Sequence, residues 1–244
     1  MLEKNAFIKK TYQMAKLETA FVLGAGLGTR LRPLTADTPK PMLKVKGKPL
    51  IEHIFEKLAA AEIKNIIINT HHAPQKYLEY FASPYYGGAK ITFVNEPELL
   101  DTGGGLKNIL PLFCHESGIL VYNGDIFWEG DISKFIRHFE ESKKSASLIL
   151  RSEGANKNVA VKNGCVSDMR FEIGARYDKL MQFTGIFACK KEFLDIVKNT
   201  PQKKFSTVKS LLEMIKLDEN SVEAYEDNSN WTDIGTPSEY EKIK

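Results

Sequence analysis

At 244 residues, with 43% hydrophobic and 27% charged, the chain has ordinary soluble globular composition, enough for one large α/β domain or two small ones. Its 34 basic and 31 acidic residues leave a formal net charge of +3, which gives no case for nucleic acid or a membrane surface as a partner. Cys114, Cys165 and Cys189 are odd in number, widely spaced and without zinc spacing, as expected of buried thiols in a reducing cytoplasm. No apolar run reaches the roughly 18 residues of a membrane span. Residues 1–18 mix charge and apolar side chains without the continuous core and small-residue cleavage site of a secretory signal, so a cytoplasmic location is expected.

Residues 1–18 are set apart as an N-terminal extension, in which Ala6, Phe7, Met14 and Leu17 permit a short helix. The expected domain is residues 19–244. It opens with a short buried strand, Ala20 to Leu23, that runs into Gly24-Ala25-Gly26-Leu27-Gly28-Thr29-Arg30. Glycine at every second position lets the backbone turn tightly and approach a ligand. Converging N–H groups in such a loop make an anion site. Thr29 adds a hydroxyl, Arg30 a planar fork suited to phosphate oxygens, and Lys40, between Pro39 and Pro41, a further positive charge. The stretch reads as a phosphate-handling device. It is not a dinucleotide fingerprint: the third glycine comes one place early, Pro33, Pro39 and Pro41 interrupt the next segment, and the next strand ends on Asn69-Thr70-His71-His72 without an acid. A P-loop pattern is also absent.

Leu23 to Pro41, with G-x-G-T-R-L-x-P-L-T followed by P-K-P, resembles the signature of the sugar-1-phosphate nucleotidyltransferases, the nucleoside-diphosphate-sugar pyrophosphorylases. Within that family the pattern is most similar to the short N-acetylmuramate-1-phosphate uridylyltransferase type, with heptose- and mannose-1-phosphate guanylyltransferases near it. The resemblance implies a Rossmann-like three-layer αβα fold on a mixed, mainly parallel sheet, with a nucleotide-binding part over about 19–150 and a β-rich sugar-binding part over about 151–230. It also implies that Leu23, Gly24, Ala25, Gly26, Gly28 and Thr29 bind nucleotide and that Arg30 and Lys40 are catalytic.

Further along, Pro49 to Glu62 has helical spacing and Asn65 to Thr70 is a strand, so the chain begins as a βαβ unit with the signature loop at a carboxyl edge. His71 and His72 leave the same edge and read as loop residues. After a short helix (Pro74 to Phe81) and a strand (Ile91 to Val94) comes Leu100-Asp101-Thr102-Gly103-Gly104-Gly105, preceding a helix expected from Gly105 to Phe113. A helix N-terminus offers free N–H groups. In the family a loop of this kind holds base and ribose, which assigns Leu100, Thr102, Gly103, Gly104 and Gly105 to the nucleotide.

A fourth strand, Gly118 to Tyr122, ends on Asn123-Gly124-Asp125 and places a carboxylate at the carboxyl edge. By resemblance Asp125 binds Mg²⁺ and Asn123 lies near the sugar phosphate. A helix (Ser133 to Ser142) and a strand (Ala146 to Leu150) lead into residues 157–188, where short strand patterns alternate with turns. In this sugar side of the site Asn158, Glu172, Thr184 and Gly185 are the candidate contacts. The glutamate-lysine-proline motif of longer relatives, whose lysine grips the sugar phosphate, is missing. Two helices (Lys191 to Lys198 and Thr207 to Leu217) and a strand (Ser221 to Tyr225) come next. Trp231-Thr232-Asp233-Ile234-Gly235-Thr236-Pro237 then matches the family's second metal acid, so Asp233 partners Asp125. No hexapeptide repeat is present, which excludes an appended acyltransferase helix from the expectation.

The resemblance implies Mg²⁺-dependent transfer of a nucleoside monophosphate from UTP, or next GTP, to a sugar 1-phosphate, N-acetylmuramate or a related hexose or heptose, giving an NDP-sugar and pyrophosphate. Two alternatives stand beside it. One is a phosphocholine cytidylyltransferase-like enzyme, with Tyr85, Tyr86, Trp128 and Tyr177 as a possible ammonium cage. The other is a non-catalytic subunit that binds nucleotide sugar. Monomer and homo-oligomer are both left open.

Overall fold

The structure, a computed structural model, describes residues 16–244. The helix anticipated before the first strand falls mostly outside them. Leu17 is already buried, and its N–H donates to Glu140 Oε1 at 2.8 Å, so the packed chain starts ahead of the first strand.

The chain runs β1 (Thr19–Leu23), a hairpin of β2 (Lys44–Val45) and β3 (Lys48–Pro49), α1 (Leu50–Ala60), β4 (Asn65–Thr70), α2 (Gln75–Tyr80), β5 (Tyr85–Tyr86) and β6 (Ala89–Asn95). It continues with α3 (Asp101–Ile109), β7 (Ile119–Asn123), β8 (Ile126–Trp128), α4 (Ile132–Glu141), β9 (Ala146–Arg151), β10 (Val159–Lys162), β11 (Cys165–Met169) and β12 (Lys179–Cys189). Last come α5 (Lys191–Asn199), α6 (Thr207–Leu217), β13 (Val222–Glu226), β14 (Trp231–Asp233) and α7 (Pro237–Glu241).

The central sheet has ten strands in the order β10-β11-β13-β9-β12-β7-β1-β4-β6-β5. Strands β7, β1, β4 and β6 are parallel neighbours, the outcome expected when each strand returns through a helix. The long β12 runs antiparallel to both β7 and β9 and joins this half to the β-rich half. Alternation along the strands divides the core. Phe21 packs with α3, α5 and α6 on one face, while Ala20 and Val22 pack with α1, α2 and α4 on the other. These are the three layers of the expected αβα fold. Local sequence sets the helix starts: Asp131 caps α4 by accepting from Lys134 N–H, and Ser206 caps α6 by accepting from Val208 N–H.

Two features depart from the sequence reading. Helix α3 starts at Asp101, not Gly105, so the three glycines lie inside it. The short β8–β14 ladder, with Asp233 opposite Ile126 and Trp231 opposite Trp128, was not anticipated. Three-residue strands carry too few alternations to register as a period.

Candidate active site

The carboxyl ends of β1, β4, β6 and β7 open onto one edge, where ligands of such sheets bind. Three connected hollows lie there. A cleft of about 330 Å³ is lined by Leu23, Ala25 and Gly26, by Asn69 and Glu96, by Leu99, Asp101 and Thr102, and by Asn123, Asp125 and Lys204. A groove of about 290 Å³ runs along Gly26 to Leu31 with Lys40, Leu99, Asp125 and Gly235. A polar pocket of about 230 Å³ is bounded by Asn123, Asn158, Arg170, Gln182, Gly185, Trp231 and Asp233, among others. Asn123 and Asp125 each border two hollows, and the three meet around them.

The glycine loop divides into structural and open positions. Gly24 donates its N–H to Asn69 Oδ1 at 2.8 Å, its carbonyl accepts from Tyr77 OH at 3.2 Å, and a Cβ there would sit 2.8 Å from the Asn69 carbonyl. Gly24 therefore braces the loop, and its N–H is already engaged. Gly28 takes φ +61°, a conformation that favours glycine, and its carbonyl accepts from Thr35 Oγ1 at 2.7 Å. A Cβ on Gly26 would meet no protein atom within 4 Å, so its bareness leaves the groove open. Thr29 and Arg30 continue along the groove wall.

Lys40 is 7% exposed in a short 3₁₀ turn. Its Nζ donates to Asp125 Oδ2 at 2.7 Å and to Asp233 Oδ1 at 3.3 Å. The predicted lysine and both predicted acids thus meet at one point. Two devices bring the acids together. Gly124 donates its N–H to the Leu23 carbonyl at 2.9 Å, with no room for a Cβ, which holds the end of β7 against β1. The β8–β14 ladder then delivers Asp233, with Ile234 N–H donating to the Asp125 carbonyl at 3.2 Å. Burial, and next the neighbouring Asp125 charge, raise the Asp233 carboxyl above the ordinary range, with Lys40 opposing. The Arg30 guanidinium lies over Gly235, where a Cβ would come 3.1 Å from its Nη2. Glycine in the Trp-x-Asp-x-Gly-Thr-Pro motif thereby gives Arg30 its place beside Asp233.

Several expected contacts are not brought to the ligand surface. Gly103 and Gly104 donate their N–H groups to the Phe205 carbonyl at 2.8 and 3.1 Å. A Cβ on Gly103 would meet the Phe205 ring at 2.5 Å, one on Gly104 the Lys203 carbonyl at 2.3 Å, and one on Gly105 Asn69 Nδ2 at 2.9 Å. Gly103 and Gly104 serve close packing of α3 on the 203–205 segment, Gly105 its packing on Asn69 and Glu96, and none of the three lines the cleft. Leu100 is buried, with its N–H on Glu96 Oε2 and its carbonyl taken by Phe205 N–H. Its neighbour Leu99 faces the cleft instead. Thr102 does line the cleft, and its Oγ1 accepts from Thr207 N–H at 2.9 Å.

On the sugar side Asn123, Asn158 and Gly185 border the polar pocket. Gly185 takes φ +84°, and a Cβ there would strike Asn123 Nδ2 at 2.6 Å, so glycine lets that amide come close. Thr184 reaches the pocket, but its hydroxyl donates to the Ile149 carbonyl at 2.8 Å. Glu172 stands exposed on the β11–β12 turn and is not among the lining residues. The aromatic cage does not form. Tyr85 and Tyr86 belong to β5 at the far edge of the sheet, Trp128 is buried with Nε1 on Asp227, and Tyr177 is exposed on the β11–β12 loop.

Asn69 and Glu96 escaped the sequence reading. Glu96 is 2% exposed, accepting from Asn69 Nδ2 at 2.8 Å and Leu100 N–H at 3.2 Å. The only signal was a polar residue just past an apolar strand, which many turns share. His71 and His72 bond the Glu96 and Thr35 carbonyls, at 2.7 and 3.0 Å, and so tie loops together.

Residues 19–169 match the family model described as nucleotidyl transferase. The chain is 29% identical over 230 residues to the mannose-1-phosphate guanylyltransferase of Mycobacterium tuberculosis, covering 91% of this chain and 62% of that protein. It is 38% identical over 112 residues to the N-acetylmuramate alpha-1-phosphate uridylyltransferase of Caulobacter vibrioides, covering 45% of this chain and 46% of that one. The chain spans about half to three-fifths of the curated relatives it matches. Among solved structures, HddC from Yersinia pseudotuberculosis complexed with GMP-PN superposes with TM-score 0.73 at 23% identity, over 93% of this chain and 98% of that one, a likeness of fold.

Proposed function

The chain belongs to the nucleotidyl transferase family, and from that premise we propose that it transfers a nucleoside monophosphate from a nucleoside triphosphate to a sugar 1-phosphate, giving an NDP-sugar and pyrophosphate. The observation that carries this reading is Lys40, whose ammonium sits between Asp125 and Asp233 where nucleotide cleft, phosphate groove and polar pocket meet.

In this reading the base and ribose occupy the cleft, the triphosphate lies along the groove, and the acceptor enters the polar pocket beside Asn123. Arg30 and Thr29 hold the β- and γ-phosphate oxygens that leave. Lys40 offsets the repulsion between two anions brought into line for an in-line displacement. The acceptor's phosphate oxygen already carries charge and needs no base, which agrees with His71 and His72 being committed to backbone carbonyls. The paired hard oxygens of Asp125 and Asp233 already surround a cation and suit Mg²⁺, which takes one or two carboxylates and completes its shell on phosphates and water. Asp125 and Asp233 would hold the ion, which when bound neutralises charge on the phosphates.

Overall resemblance to the uridylyltransferase type favours UTP. A second reading, guanylyl transfer, is favoured by Glu96. A buried carboxylate on the cleft wall is an acceptor only. Guanine offers it two adjacent donors, N1–H and N2–H₂, whereas uracil offers one N–H between two carbonyls.

The test is pyrophosphate release with Mg²⁺ across four nucleoside triphosphates and a panel of sugar 1-phosphates, with choline phosphate included. Release with a sugar 1-phosphate pair, abolished by EDTA, supports the reading. No release with any pair, alongside tight nucleotide-sugar binding, replaces it with a non-catalytic binding role.

A further inference from the structure

We propose that Asn69 is a positioning residue that ties the wall of the cleft to the phosphate loop, so that the buried Glu96 carboxylate sets how well the loop holds a triphosphate, although Glu96 does not line the phosphate groove. This rests on the nucleotide-transfer reading, in which the triphosphate lies along the glycine loop.

The parallel strands β1, β4 and β6 end together on the sheet edge. Leu23 is opposite Asn69 and Thr70 opposite Asn95, so Gly24 and Glu96 each begin a loop on either side of the Asn69 side chain. That side chain bridges them. Its Oδ1 accepts from Gly24 N–H at 2.8 Å, and its Nδ2 donates to Glu96 Oε1 at 2.8 Å. Glu96 Oε2 in turn accepts from Leu100 N–H at 3.2 Å, just ahead of α3. The polarity of the bridge is fixed. A backbone N–H only donates and a carboxylate only accepts, so an amide between them must turn its oxygen to Gly24 and its nitrogen to Glu96. The frame continues on the other side of β1, where the Leu23 carbonyl accepts from Gly124 N–H, next to Asp125.

The bridge is sealed from solvent. Asn69 is 3% exposed and Glu96 2%. Helix α3 lies directly on the bond between them: a Cβ on Gly105 would come 2.9 Å from Asn69 Nδ2 and 3.0 Å from Glu96 Oε1. A polar group left unpaired in such surroundings costs far more than the same group at the surface. Gly24 has no slack either, with its carbonyl on Tyr77 OH and no room for a Cβ against the Asn69 carbonyl. If the amide turns to suit a changed partner at position 96, its nitrogen meets the Gly24 N–H, and the loop that begins there must shift. Gly26, Gly28, Thr29 and Arg30 follow on that loop and line the groove. A change of one atom at Glu96 is thereby felt where the phosphates bind.

Isosteric exchange tests this. Asn69→Asp keeps an acceptor for Gly24 N–H but sets a second carboxylate against Glu96. Glu96→Gln keeps an acceptor for Leu100 N–H but sets an amide donor against Asn69 Nδ2. Together the two substitutions restore the bridge with its polarity reversed and the net charge unchanged. Binding of inorganic tripolyphosphate with Mg²⁺, a probe without a base, is measured by calorimetry on the wild type, both single variants and the double variant, and the Gly24 amide proton is followed by NMR. The expected result is tripolyphosphate affinity about 10- to 100-fold weaker in each single variant, the scale of a buried group left unpaired, and mostly recovered in the double variant. The Gly24 resonance should shift in Glu96→Gln and return in the double variant. Unchanged affinity in Glu96→Gln, no recovery in the double variant, or no tripolyphosphate binding by the wild type overturns the inference. If Asn69→Asp alone does not fold, Glu96→Gln and the double variant decide, recovery upholding the bridge and its absence overturning it. Recovery of binding while neither the wild type nor any variant releases pyrophosphate from any substrate pair upholds the bridge and removes the transfer reading alone.

Discussion

Asp125 and Asp233 are held side by side by the β8–β14 ladder, and Lys40 closes the gap at 2.7 and 3.3 Å. Asp233 bears the strain of this arrangement, since burial and the Asp125 charge both raise its carboxyl. A carboxyl that keeps its proton to higher pH when folded contributes less to stability as pH rises through the carboxylate range. At neutral pH the ionised form therefore opposes folding. Asp233→Asn is expected to leave the melting temperature in EDTA unchanged or higher, while lowering turnover by about 10²-fold or more. Calorimetric scans paired with steady-state rates check both halves. A clear drop in melting temperature would show that Asp233 stabilises the fold.

Lys40 and Arg30 separate a structural charge from an exposed one. Removing Lys40 leaves two carboxylates facing each other with their buried counter-ion gone. Lys40→Ala should lower the melting temperature in EDTA, recover part of it with Mg²⁺, and reduce turnover about 10²-fold. Arg30 is exposed over Gly235, so Arg30→Ala should reduce turnover on the same scale with no change in melting temperature. Thermal shift with and without Mg²⁺ distinguishes them, and near-normal turnover in both variants would refute their assignment to the triphosphate.

Glu96 bears on the choice of base. If its carboxylate reads guanine, Glu96→Gln replaces one acceptor oxygen by a donor and weakens the pairing with two adjacent N–H groups. The ratio of kcat/KM for GTP to that for UTP should then fall about 10-fold. The ratio is the proper readout, because Glu96 also braces Asn69 and the Leu100 N–H and its loss disturbs both substrates. An unchanged ratio would leave Glu96 with the bracing role alone.

Much of the site was legible because its parts need distinctive residues in fixed order. A glycine loop after a strand, an arginine, a lysine between prolines and two acids at strand ends carry their chemistry with them. Asn69 and Glu96 were not legible, since one polar residue after an apolar strand looks like any turn. The ladder that pairs the acids is too short to show a period. Local pattern does not fix the direction of a side chain at a bulge or a turn: Thr184 borders the polar pocket with its hydroxyl already engaged, and Glu172 stands exposed on the β11–β12 turn, outside the lining. In β12 the register shifts between Phe183 and Phe187, which turns the Thr184 hydroxyl onto the Ile149 carbonyl.

The glycine run of α3 separates local from tertiary reasoning most sharply. Read locally, Gly103-Gly104-Gly105 invites a ligand to lie on bare backbone and disfavours a helix before Gly105. In the fold Gly103 and Gly104 meet a segment far along the chain, Phe205 and the Lys203 carbonyl, and Gly105 meets the Asn69 and Glu96 side chains, each closer than a Cβ allows without a shift. That packing overrides the poor helix propensity of glycine. Gly104→Ala would force a methyl to within 2.3 Å of the Lys203 carbonyl, a backbone atom that cannot swing away. The expected cost is about 1–3 kcal/mol of stability, the range for overpacking a close contact. It should be read as a lower urea midpoint, with bound nucleotide recovering part of the loss by mass action. Had the glycines been bare for the base, the same substitution would raise KM for the triphosphate and leave the urea midpoint where it was.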